Sequence, residues 1–593
     1  MTGETNLRAA LELVDGLVGG GVSRAVVSPG SRSTPLAVAC AVHPGIRVVP
    51  VLDERGAAFH ALGMAAAADE PVLVVATSGS APANWLPAVL EASHARVPLV
   101  LASASRPFDL VASDAPQSTD QDLFGRAVRL AVRLDAPAAD GPGGEPWRRV
   151  GARAAAASRD PVPGPVHLDV PFRKPLLPPR LPPVEDALGR VPAAPGVGEV
   201  RVHPARRLPR EEAVEALAAR VRRARRPVLV AGPGPVTRYR ELGRVAAFCR
   251  ETGIPLLAEA TSGWRFRGDR HGTFPAGDRF DLCWRHPAGR RALEPDLLLV
   301  VGLPPVSRGL ADLLEGAPGV PLVVLAEHGW NDPWGRAVEV VAGAPVATLE
   351  ALAGRLAGWS AEPAWSAAWA TLDAAAERAE EILAAAEGGA RPVPEARAVR
   401  ATVAALPEGA LLLAGNGLPV RELDLHVPGE IADLAVLHRR GQSGIEGGLA
   451  ELAGAAAAWP GPALALLGDL AFRHDAGGLE VLARTEGTAV AVVLENGGGR
   501  IFDGLPVAGA GLPADAFETL FRCPGGADPV ALAGAHGIAA ERAEDEAAIE
   551  AAIAAALRRG GASVIAVPTD GDGIGERMRH LADLAVREAG FET

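Results

Sequence analysis

Short apolar runs alternate with helix-like stretches along nearly the whole sequence, and this alternation constrains the fold more than any other feature. Runs such as SRAVVSP, VLVVAT and VPLVLAS are separated by segments such as ERGAAFHALGMAAAA, which are rich in helix-forming residues. Strands that alternate with helices in this way build parallel sheets. Because the pattern recurs in three successive stretches, we predict an α/β fold of three consecutive domains with parallel sheets.

The length of 593 residues exceeds what one hydrophobic core supports, which agrees with several domains. We predict a first domain over 1–180, a second over 211–388 that ends in a helical tail, and a third over 389–593. Proline-rich, irregular sequence separates the first two domains, so residues 181–210 are predicted to form a linker.

Composition limits the partners and the compartment. A formal net charge of -13 argues against nucleic acid, which is bound by clustered positive charge. The four cysteines are far apart in sequence, so neither a disulfide framework nor a zinc site is expected. The apolar runs are too short to span a membrane, and the N-terminal segment lacks the order of a signal peptide. We therefore expect a cytoplasmic metabolic enzyme with small-molecule substrates, no nucleic-acid partner and no membrane partner.

Two motifs in the third predicted domain offer oxygen ligands. Gly468-Asp469-Leu470 follows the apolar run ALALL, and Asn496, in ENGGG, follows AVAVVL. The carboxyl ends of parallel strands meet at one edge of a sheet, where a helix N-terminus can also receive a phosphate. The Asp469 carboxylate, the Asn496 amide oxygen and a backbone carbonyl of the glycine run, assigned to Gly498, suit Mg²⁺ together with diphosphate oxygens. Either motif alone would be an ordinary turn, but together they predict a magnesium-diphosphate clamp.

Together these motifs resemble the signature of thiamine-diphosphate enzymes. The resemblance implies pyrimidine-binding, middle and diphosphate-binding domains, with thiamine diphosphate and Mg²⁺, or Mn²⁺, as cofactors. It also implies an activating glutamate in the first domain that hydrogen-bonds the aminopyrimidine ring. Glu54 is the candidate, because a strand delivers Asp53-Glu54-Arg55-Gly56 to the start of a helix. An acidic residue that is stabilised by the helix dipole is the alternative interpretation, and both can hold.

Further landmarks narrow the match. In order along the chain stand SPGSRSTPL at 28–36, TSGS at 77–80, SRP at 105–107, RGQSGI at 440–445 and the pair Ile501-Phe502. With them, the sequence resembles the 2-succinyl-5-enolpyruvyl-6-hydroxy-3-cyclohexene-1-carboxylate synthases of menaquinone biosynthesis over nearly its whole length. The resemblance implies that 2-oxoglutarate is decarboxylated and that the resulting succinyl carbanion adds to isochorismate in a conjugate, Stetter-like addition.

The resemblance also implies site residues, and both implied substrates carry two carboxylates, which guanidinium groups bind through paired, permanently charged hydrogen bonds. Catalytic roles are implied for Glu54, Arg32 and Gln117. Cofactor contacts are implied for Glu54, Thr77, Gly415, Ile445, Gly468, Asp469, Leu470 and Asn496. Substrate contacts are implied for Ser31, Arg32, Arg106, Gln117, Arg308, Arg421, Arg440 and Phe502. The alternative is a solvated surface charge for a single arginine, and core packing for Ile445 and Phe502.

Four residues depart from the family pattern: Pro116, Gly417, Arg439 and Ala471. Pro116 and Gly417 bear on the acceptor substrate more than on the cofactor. One alternative is therefore another thiamine-diphosphate decarboxylase or carboligase, similar to acetolactate synthase, and a second is a non-catalytic relative. A dinucleotide-dependent enzyme is a third alternative, suggested by Ala231-Gly232-Pro233-Gly234 after a strand.

The superfamily places one cofactor between the first and third domains of two different subunits. The resemblance therefore implies self-association to a homodimer or homotetramer, because a monomer would lack complete sites.

Overall fold

The structure is a computed structural model that describes residues 2–118, 122–138, 145–181 and 202–591. Of the predicted linker, residues 182–201 lie outside the described residues, and 202–210 form neither helix nor strand. The predicted domain boundaries stay a prediction.

Three parallel sheets follow one another along the chain, which confirms the predicted α/β class. The first has the order β2-β1-β3-β4-β6-β5 and consists of β1 (Arg24–Val27), β2 (Arg47–Pro50), β3 (Val72–Ala76), β4 (Leu99–Ser105), β5 (Ala131–Arg133) and β6 (Pro165–Pro171). The second has the order β11-β10-β9-β7-β8 and consists of β7 (Pro227–Ala231), β8 (Leu256–Ala258), β9 (Leu297–Val301), β10 (Leu322–Ala326) and β11 (Ala337–Ala342).

The third sheet has the order β12-β18-β16-β15-β13-β14, with β17 paired to β18. Its strands are β12 (Val393–Pro394), β13 (Ala410–Ala414), β14 (Leu434–His438), β15 (Ala463–Gly468), β16 (Ala489–Glu495), β17 (Ala539–Arg542) and β18 (Ala562–Asp570). The central strands of all three sheets are buried along most of their length, as expected of parallel strands covered by helices on both faces.

Helices connect the strands. Before β7 they are Thr2–Gly19, Thr34–Val42, Glu54–Ala68, Leu86–Ala95, Phe108–Val111, Glu145–Ala157 and Glu211–Arg223. In the second stretch they are Leu242–Thr252, Phe280–Arg285, Pro287–Ala292, Arg308–Gly316, Pro345–Arg355 and Pro363–Glu387. In the third they are Glu395–Ala404, Leu418–His426, Gly448–Ala458, Asp469–His474, Gly478–Leu482, Ala514–Phe517, Pro529–Ala535, Glu546–Arg559 and Ile574–Glu588.

The chain forms two compact units. The first comprises Met1–Ala205, Gly441–Pro460 and Asp475–Gly487, and the second comprises Arg206–Arg440, Gly461–His474 and Thr488–Thr593. Two helices of the third predicted domain, Gly448–Ala458 and Gly478–Leu482, thus belong to the same compact unit as the first sheet.

Within the first unit, the helix Glu54–Ala68 packs closely on the helix Gly448–Ala458. A Cβ atom on Gly63 would lie 2.1 Å from the carbonyl oxygen of Glu451, and one on Gly454 would lie 1.9 Å from that of His60. Only glycine permits such backbone contact. The two glycines therefore fix the helix that begins with Glu54 against a segment from far along the chain.

Buried charged side chains occur throughout the second unit. Asp278 pairs with Arg267 at 3.0 Å and accepts the backbone N–H of Gly429 at 2.7 Å, and all three residues lie inside the unit. His426 contacts Glu380 at 2.5 Å through Nδ1 and Glu422 at 3.2 Å through Nε2. These pairs connect segments of the second and third sheet regions. Burying any of these charged groups without a partner would be costly.

None of the helices among the described residues is long and apolar enough to cross a membrane.

Candidate active site

Two neighbouring strands of the third sheet end side by side. Strands β15 and β16 are paired in parallel, and Gly468 lies opposite Leu494. Asp469 and Asn496 therefore leave the same edge of the sheet one and two residues beyond this pair. This is the edge where ligands bind in open α/β sheets.

The Asp469 carboxylate lies against the glycine run that follows β16. Burial raises its pKa above the ordinary value, while the backbone N–H groups of Leu470, Gly498 and Gly497 act in the opposite direction. The N–H of Leu470 donates to Oδ1 at 2.7 Å. Leu470 itself is half-buried at the start of the helix Asp469–His474. The two sequence motifs thus meet at one carboxylate.

Asn496 is buried, and its side-chain oxygen is a hydrogen-bond acceptor without a donor among the described residues. Its Nδ2 donates to Glu395 Oε2 at 2.8 Å, whereas its Oδ1 is enclosed and has no hydrogen-bond partner among the described residues. Its backbone carbonyl accepts from Arg500 Nε at 2.8 Å. A buried acceptor without a partner costs about 1–3 kcal/mol, which a bound cation would offset.

The backbone conformation and the neighbouring chain segment both require a glycine at position 498. It has a φ of +114°, and a Cβ atom there would lie 2.0 Å from the carbonyl oxygen of Arg522. The Gly498 carbonyl accepts the N–H of Arg500 at 2.8 Å, and its second lone pair remains for a metal.

Gly468 and Gly415 lie at the ends of adjacent strands, but for different reasons. A Cβ atom on Gly415 would lie 2.5 Å from the carbonyl oxygen of Leu466, so packing within the chain requires glycine there. A Cβ atom on Gly468 would meet no atom of the other described residues within 4 Å, its chain neighbours aside. Packing therefore does not require glycine at 468, and the open space beside it is room for a ligand.

The residues at this edge fit a divalent cation and a diphosphate. Among the described residues, no group of three or more His, Cys, Asp or Glu side chains could hold a metal. A cation would instead need carboxylate, amide and backbone oxygens, which Asp469, Asn496 and Gly498 supply together. Hard oxygen donors of this kind suit Mg²⁺ or Mn²⁺, and such ions are often completed by phosphate oxygens.

A cavity of about 1190 Å³ lies in the second unit and is lined by an unusual number of arginines. They are Arg285, Arg308, Arg421, Arg440, Arg500, Arg522 and Arg579. The cavity brings together three of the predicted substrate arginines. A wall so rich in guanidinium groups suits a ligand that carries carboxylates.

Arg421 and Arg440 are held by backbone carbonyls in the cavity wall. Arg421 donates to the carbonyl of Gly417 at 2.5 Å, and Arg440 donates to the carbonyls of Pro304 and Pro305 at 3.2 and 3.3 Å. Burial lowers the pKa of Arg421, and the neighbouring Arg285 and Arg440 lower it further. Guanidinium groups stay charged under such shifts, so positive charge is concentrated here.

A second group of predicted residues comes together in the first unit. Arg106 donates to Ser78 Oγ at 2.9 Å, to the Gln117 carbonyl at 2.9 Å and to Gln117 Oε1 at 3.3 Å. Arg32 is buried and donates to the carbonyl of Phe172 at 2.7 Å. Burial and the charge of Arg106 lower the pKa of Arg32. Among the described residues, neither arginine has a carboxylate at ion-pair distance, so the pair is prepared to bind an anion.

Thr77 supports the loop that carries these arginines. Its Oγ1 accepts the backbone N–H of Arg32 at 3.2 Å. A Cβ atom on Gly30 would lie 2.4 Å from the Thr77 side chain, so the SPGSR loop packs directly on this threonine. Ser31 lies exposed at the tip of the loop. Thr77, Gly30 and Arg32 thus have structural contacts within the chain that hold the loop in place. Ser31 is exposed.

Glu54 begins its helix as the sequence predicts. Asp53 caps this helix by accepting the N–H groups of Arg55 and Gly56 at 3.2 and 3.3 Å. The Glu54 side chain is half-buried and makes no hydrogen bond or ion pair to other described residues. Its carboxylate is therefore available to a ligand at the helix N-terminus, where the helix dipole favours negative charge.

Comparison with known proteins shows the family to which the chain belongs. Residues 8–124 match the family described as "Thiamine pyrophosphate enzyme, N-terminal TPP binding domain", and residues 434–567 match its C-terminal counterpart. Thiamine pyrophosphate is another name for thiamine diphosphate. A 2-succinyl-5-enolpyruvyl-6-hydroxy-3-cyclohexene-1-carboxylate synthase of Sorangium cellulosum is 39% identical over 98% of this chain and 96% of its own. A synthase of the same name from Halobacterium salinarum is 37% identical, with 97% of each chain covered.

The chain belongs to this synthase family.

A solved structure shows the same fold at lower identity. Benzoylformate decarboxylase from Polynucleobacter necessarius superposes with a TM-score of 0.68 and 16% identity, over 96% of this chain and 99% of that one. The predicted thiamine-diphosphate-enzyme architecture and the predicted cofactor are confirmed.

Two predicted substrate residues of this synthase-family chain are engaged by neighbouring side chains. Arg308 pairs with Asp312 at 2.7 Å on its own helix, and its side chain is 60% exposed. Phe502 packs on Phe521, with ring centroids 5.3 Å apart, while its neighbour Ile501 lines the cavity. Both predicted substrate contacts stay predictions.

The RGQSGI segment of the synthase family is anchored by a residue that the sequence did not indicate. Glu91 is buried and accepts the N–H groups of Gly441 and Gln442 at 2.9 and 2.6 Å. This contact holds the loop that carries Ile445, which is half-buried. An isolated glutamate gives no sequence signal for such a role, and this holds both for Glu91, in the middle of a helix, and for Glu395, at the start of one.

The dinucleotide alternative gains no support from the middle sheet. Arg238 donates to the carbonyl of Gly232 at 3.3 Å and stacks 5.0 Å above the Trp264 ring. Cβ atoms on Gly234 and Gly302 would lie 2.3 and 2.9 Å from its guanidinium group. Contacts within the chain, to Arg238, thus account for these glycines without a dinucleotide.

Proposed function

We propose that the chain decarboxylates 2-oxoglutarate and joins the resulting succinyl carbanion to isochorismate by conjugate addition. The products are 2-succinyl-5-enolpyruvyl-6-hydroxy-3-cyclohexene-1-carboxylate and CO₂, in menaquinone biosynthesis. One observation carries the substrate assignment. The arginines of the sites, Arg32 and Arg106 in one unit and Arg421 and Arg440 in the other, suit substrates with two carboxylates each.

Thiamine diphosphate, when bound, supplies an electron sink for the carbanion that decarboxylation leaves. Asp469, Asn496 and Gly498 would hold the metal, and the open space at Gly468 would admit the diphosphate. Thr77, Gly415, Leu470 and Ile445 complete the proposed cofactor contacts. These residues bind and orient, and they take no part in proton transfer.

Glu54 would hold a proton at the aminopyrimidine ring. Its carboxylate stands at a helix N-terminus that Asp53 caps, so the helix fixes its position. A carboxylate held in this way can exchange a proton with a ring nitrogen, which is general acid and base catalysis. The absence of a competing partner among the described residues leaves the carboxylate free for this task.

Arg32, Arg106 and Gln117 would bind and orient the reacting substrate. Arg106 binds both the backbone and the side chain of Gln117, so the charge and the amide act as one rigid group. Arg421 and Arg440 would bind the carboxylates of a substrate in the cavity, with Ile501 as an apolar wall. Positioning of this kind lowers the entropy cost of bringing two substrates together.

We propose that the active protein is a homodimer, or a homotetramer built from such dimers. Each cofactor would contact Glu54 of one subunit and Asp469 of the other. Large apolar side chains beside the proposed site support this, because Leu52 and Phe108 are 63% and 73% exposed in the single chain. Exposed apolar residues next to site residues are typical of a surface that another subunit covers.

Co-expression of two inactive variants tests the shared site. In a mixed dimer of Glu54→Gln and Asp469→Ala, one site carries both substitutions and the other carries none. Random pairing should therefore restore about a quarter of the wild-type activity. If each site is built from one chain, the mixture stays inactive, and an active monomer by light scattering would also refute the proposal.

The first test of the reaction is CO₂ release from 2-oxoglutarate with thiamine diphosphate and Mg²⁺, with and without isochorismate. Release should need both cofactors, rise with isochorismate and fall about 10²-fold to 10⁴-fold in Glu54→Gln. Glu70→Gln is the matched control, because Glu70 is partly exposed and pairs with Ser23 and Arg24. Cofactor binding without 2-oxoglutarate turnover would overturn the substrate assignment alone.

A second candidate is another thiamine-diphosphate decarboxylase or carboligase. Gly417 favours it, because this residue departs from the family pattern and has a φ of +96° with a ψ of -136°, a conformation that only glycine adopts readily. Turnover of pyruvate in place of 2-oxoglutarate, in the same assay, would support this candidate.

A further inference from the structure

A buried carboxylate touches one of the proposed metal ligands. Glu395 Oε2 accepts a hydrogen bond from Asn496 Nδ2 at 2.8 Å. The two side chains belong to residues that are 2% and 6% exposed, and they lie 101 positions apart in the sequence. The contact is therefore made by the fold and is shielded from water.

This contact decides which end of the Asn496 amide faces away from Glu395. An asparagine amide has donors only at nitrogen and acceptors only at oxygen. In the structure Nδ2 is the atom that faces Glu395, and a flipped amide would set its oxygen against the oxygen of an ionised Glu395. Oδ1 is thus directed elsewhere, and it is the buried atom that has no hydrogen-bond partner among the described residues.

Glu395 is itself held by rigid elements. It is the first residue of the helix Glu395–Ala404 and follows β12, whose Val393 and Pro394 pair with Thr569 and Asp570 of β18. The hydroxyl of Thr569 lies 3.4 Å from the same Oε2 atom. Strand pairing and a helix start therefore set the carboxylate relative to the third sheet, from which Asn496 emerges.

We propose that Glu395 is a positioning residue for the metal site. By binding Nδ2 of Asn496, it presents Oδ1 to the divalent cation and prevents the amide from turning its nitrogen toward the metal. The inference rests on the proposed cofactor site. It adds a residue that contacts neither the metal nor the cofactor.

Metal affinity measured on the full-length protein tests this role directly. Mn²⁺ would be titrated in the presence of thiamine diphosphate and followed by electron paramagnetic resonance, which reports binding without turnover. Glu395→Gln keeps an oxygen that can accept from Nδ2 and should bind Mn²⁺ nearly as wild type. Glu395→Met removes the acceptor and should weaken binding about 10-fold to 100-fold, the usual effect of losing a group that orients a metal ligand.

Two further variants separate orientation from folding. Glu395→Asp keeps the charge but withdraws the acceptor by one methylene, so it should also weaken Mn²⁺ binding. In the double variant Glu395→Met with Asn496→Asp, an oxygen stands at each end of the side chain and no orientation is needed. The double variant should therefore recover the affinity of Asn496→Asp alone, whereas a merely structural role of Glu395 would make Glu395→Met weaken Mn²⁺ binding equally in both backgrounds. Glu541→Met, at an exposed glutamate, is the control.

The outcomes distinguish the two levels of the proposal. If the wild type shows no metal-dependent binding of thiamine diphosphate, the proposed site fails. If the wild type binds Mn²⁺ and both Glu395→Met and Glu395→Asp bind it as tightly as the wild type does, only the role of Glu395 is refuted. Loss of affinity in Glu395→Met without recovery in the double variant also refutes the orientation argument.

Discussion

The backbone N–H of Ser307 donates to Oε1 of Glu259 at 2.6 Å, inside the second unit. Glu259 is fully buried, and Asp281 holds the same loop by accepting the Ser307 hydroxyl and the N–H of Gly309. The loop's Pro304 carbonyl in turn accepts from Arg440. A buried carboxyl therefore supports the loop that positions a cavity arginine.

Removing this support should cost stability. Burial raises the pKa of Glu259 well above its ordinary value, and Asp424 raises it further, so the group is easily replaced by a neutral acceptor. Glu259→Gln should fold as wild type. Glu259→Leu leaves the Ser307 N–H unfilled and should lower the free energy of unfolding by about 1–3 kcal/mol, measured with urea. Equal stability of the two variants would contradict this role.

Substrate binding by Arg106 should depend on the shape of its guanidinium group as well as on its charge. A lysine at 106 keeps the charge but cannot reach Ser78 and both oxygens of Gln117 together. Arg106→Lys should raise the KM for 2-oxoglutarate about 10-fold or more, since hydrogen bonds to charged groups contribute about 1.5–3 kcal/mol. Affinity for thiamine diphosphate should hardly change.

Steady-state kinetics and cofactor titration measure the two effects separately. Arg126→Ala is the matched control, because Arg126 is exposed on the same unit. An unchanged KM in Arg106→Lys would show that only the charge matters.

Much of the fold was predictable from apolar runs, and the exceptions share a physical cause. The runs in the sequence coincide with the buried strands, including β3, β4 and β16. No comparable apolar run marks β5, β11 and β17 in the sequence, because these strands are partly exposed. Strands at or near the sheet edges bury less and are harder to predict.

The site was predictable where its chemistry is local in sequence. Asp469 and Asn496 follow strands directly, so their meeting at one sheet edge could be inferred. Glu395 and Glu91 act on partners about 100 and 350 residues away, and only the fold brings these together. For the same reason, the local sequence does not predict that Gly63 and Gly454 pack against backbone atoms of residues far away along the chain.

Stability should depend on pH through His426. Burial alone would lower its pKa, but Glu380 and Glu422 raise it above the ordinary value, with Arg577 3.4 Å away at Nδ1. The native state thus binds the proton more tightly than the unfolded chain does. This stabilisation is full below the unfolded pKa of about 6.5 and is lost as the pH rises through the native pKa.

His426→Asn should therefore lower the free energy of unfolding more at pH 6 than at pH 9. At pH 6 the loss should be about 2 kcal/mol, because a hydrogen bond to a charged group is broken. His536→Asn, at an exposed histidine, should show no such dependence. Urea unfolding across this pH range measures the difference, and a loss that stays constant with pH would argue against a charged His426.

Gly468→Ala should separate ligand binding from folding. A Cβ atom at 468 meets no atom of the other described residues within 4 Å, so the variant should unfold at the wild-type temperature. If the diphosphate occupies that space, the added methyl group should clash with it and weaken binding of thiamine diphosphate about 10-fold or more, a loss of about 1.4 kcal/mol.

Two glycines provide the comparison. Gly534 also has open space and lies within the helix Pro529–Ala535, so Gly534→Ala should leave the affinity for thiamine diphosphate unchanged and should not lower the unfolding temperature. Gly415→Ala places its Cβ 2.5 Å from the Leu466 carbonyl and should lower the unfolding temperature. Thermal unfolding and cofactor titration of the three variants suffice. Full affinity in Gly468→Ala would mean that the diphosphate lies elsewhere, because a methyl group in the proposed diphosphate space could not be accommodated without loss of binding.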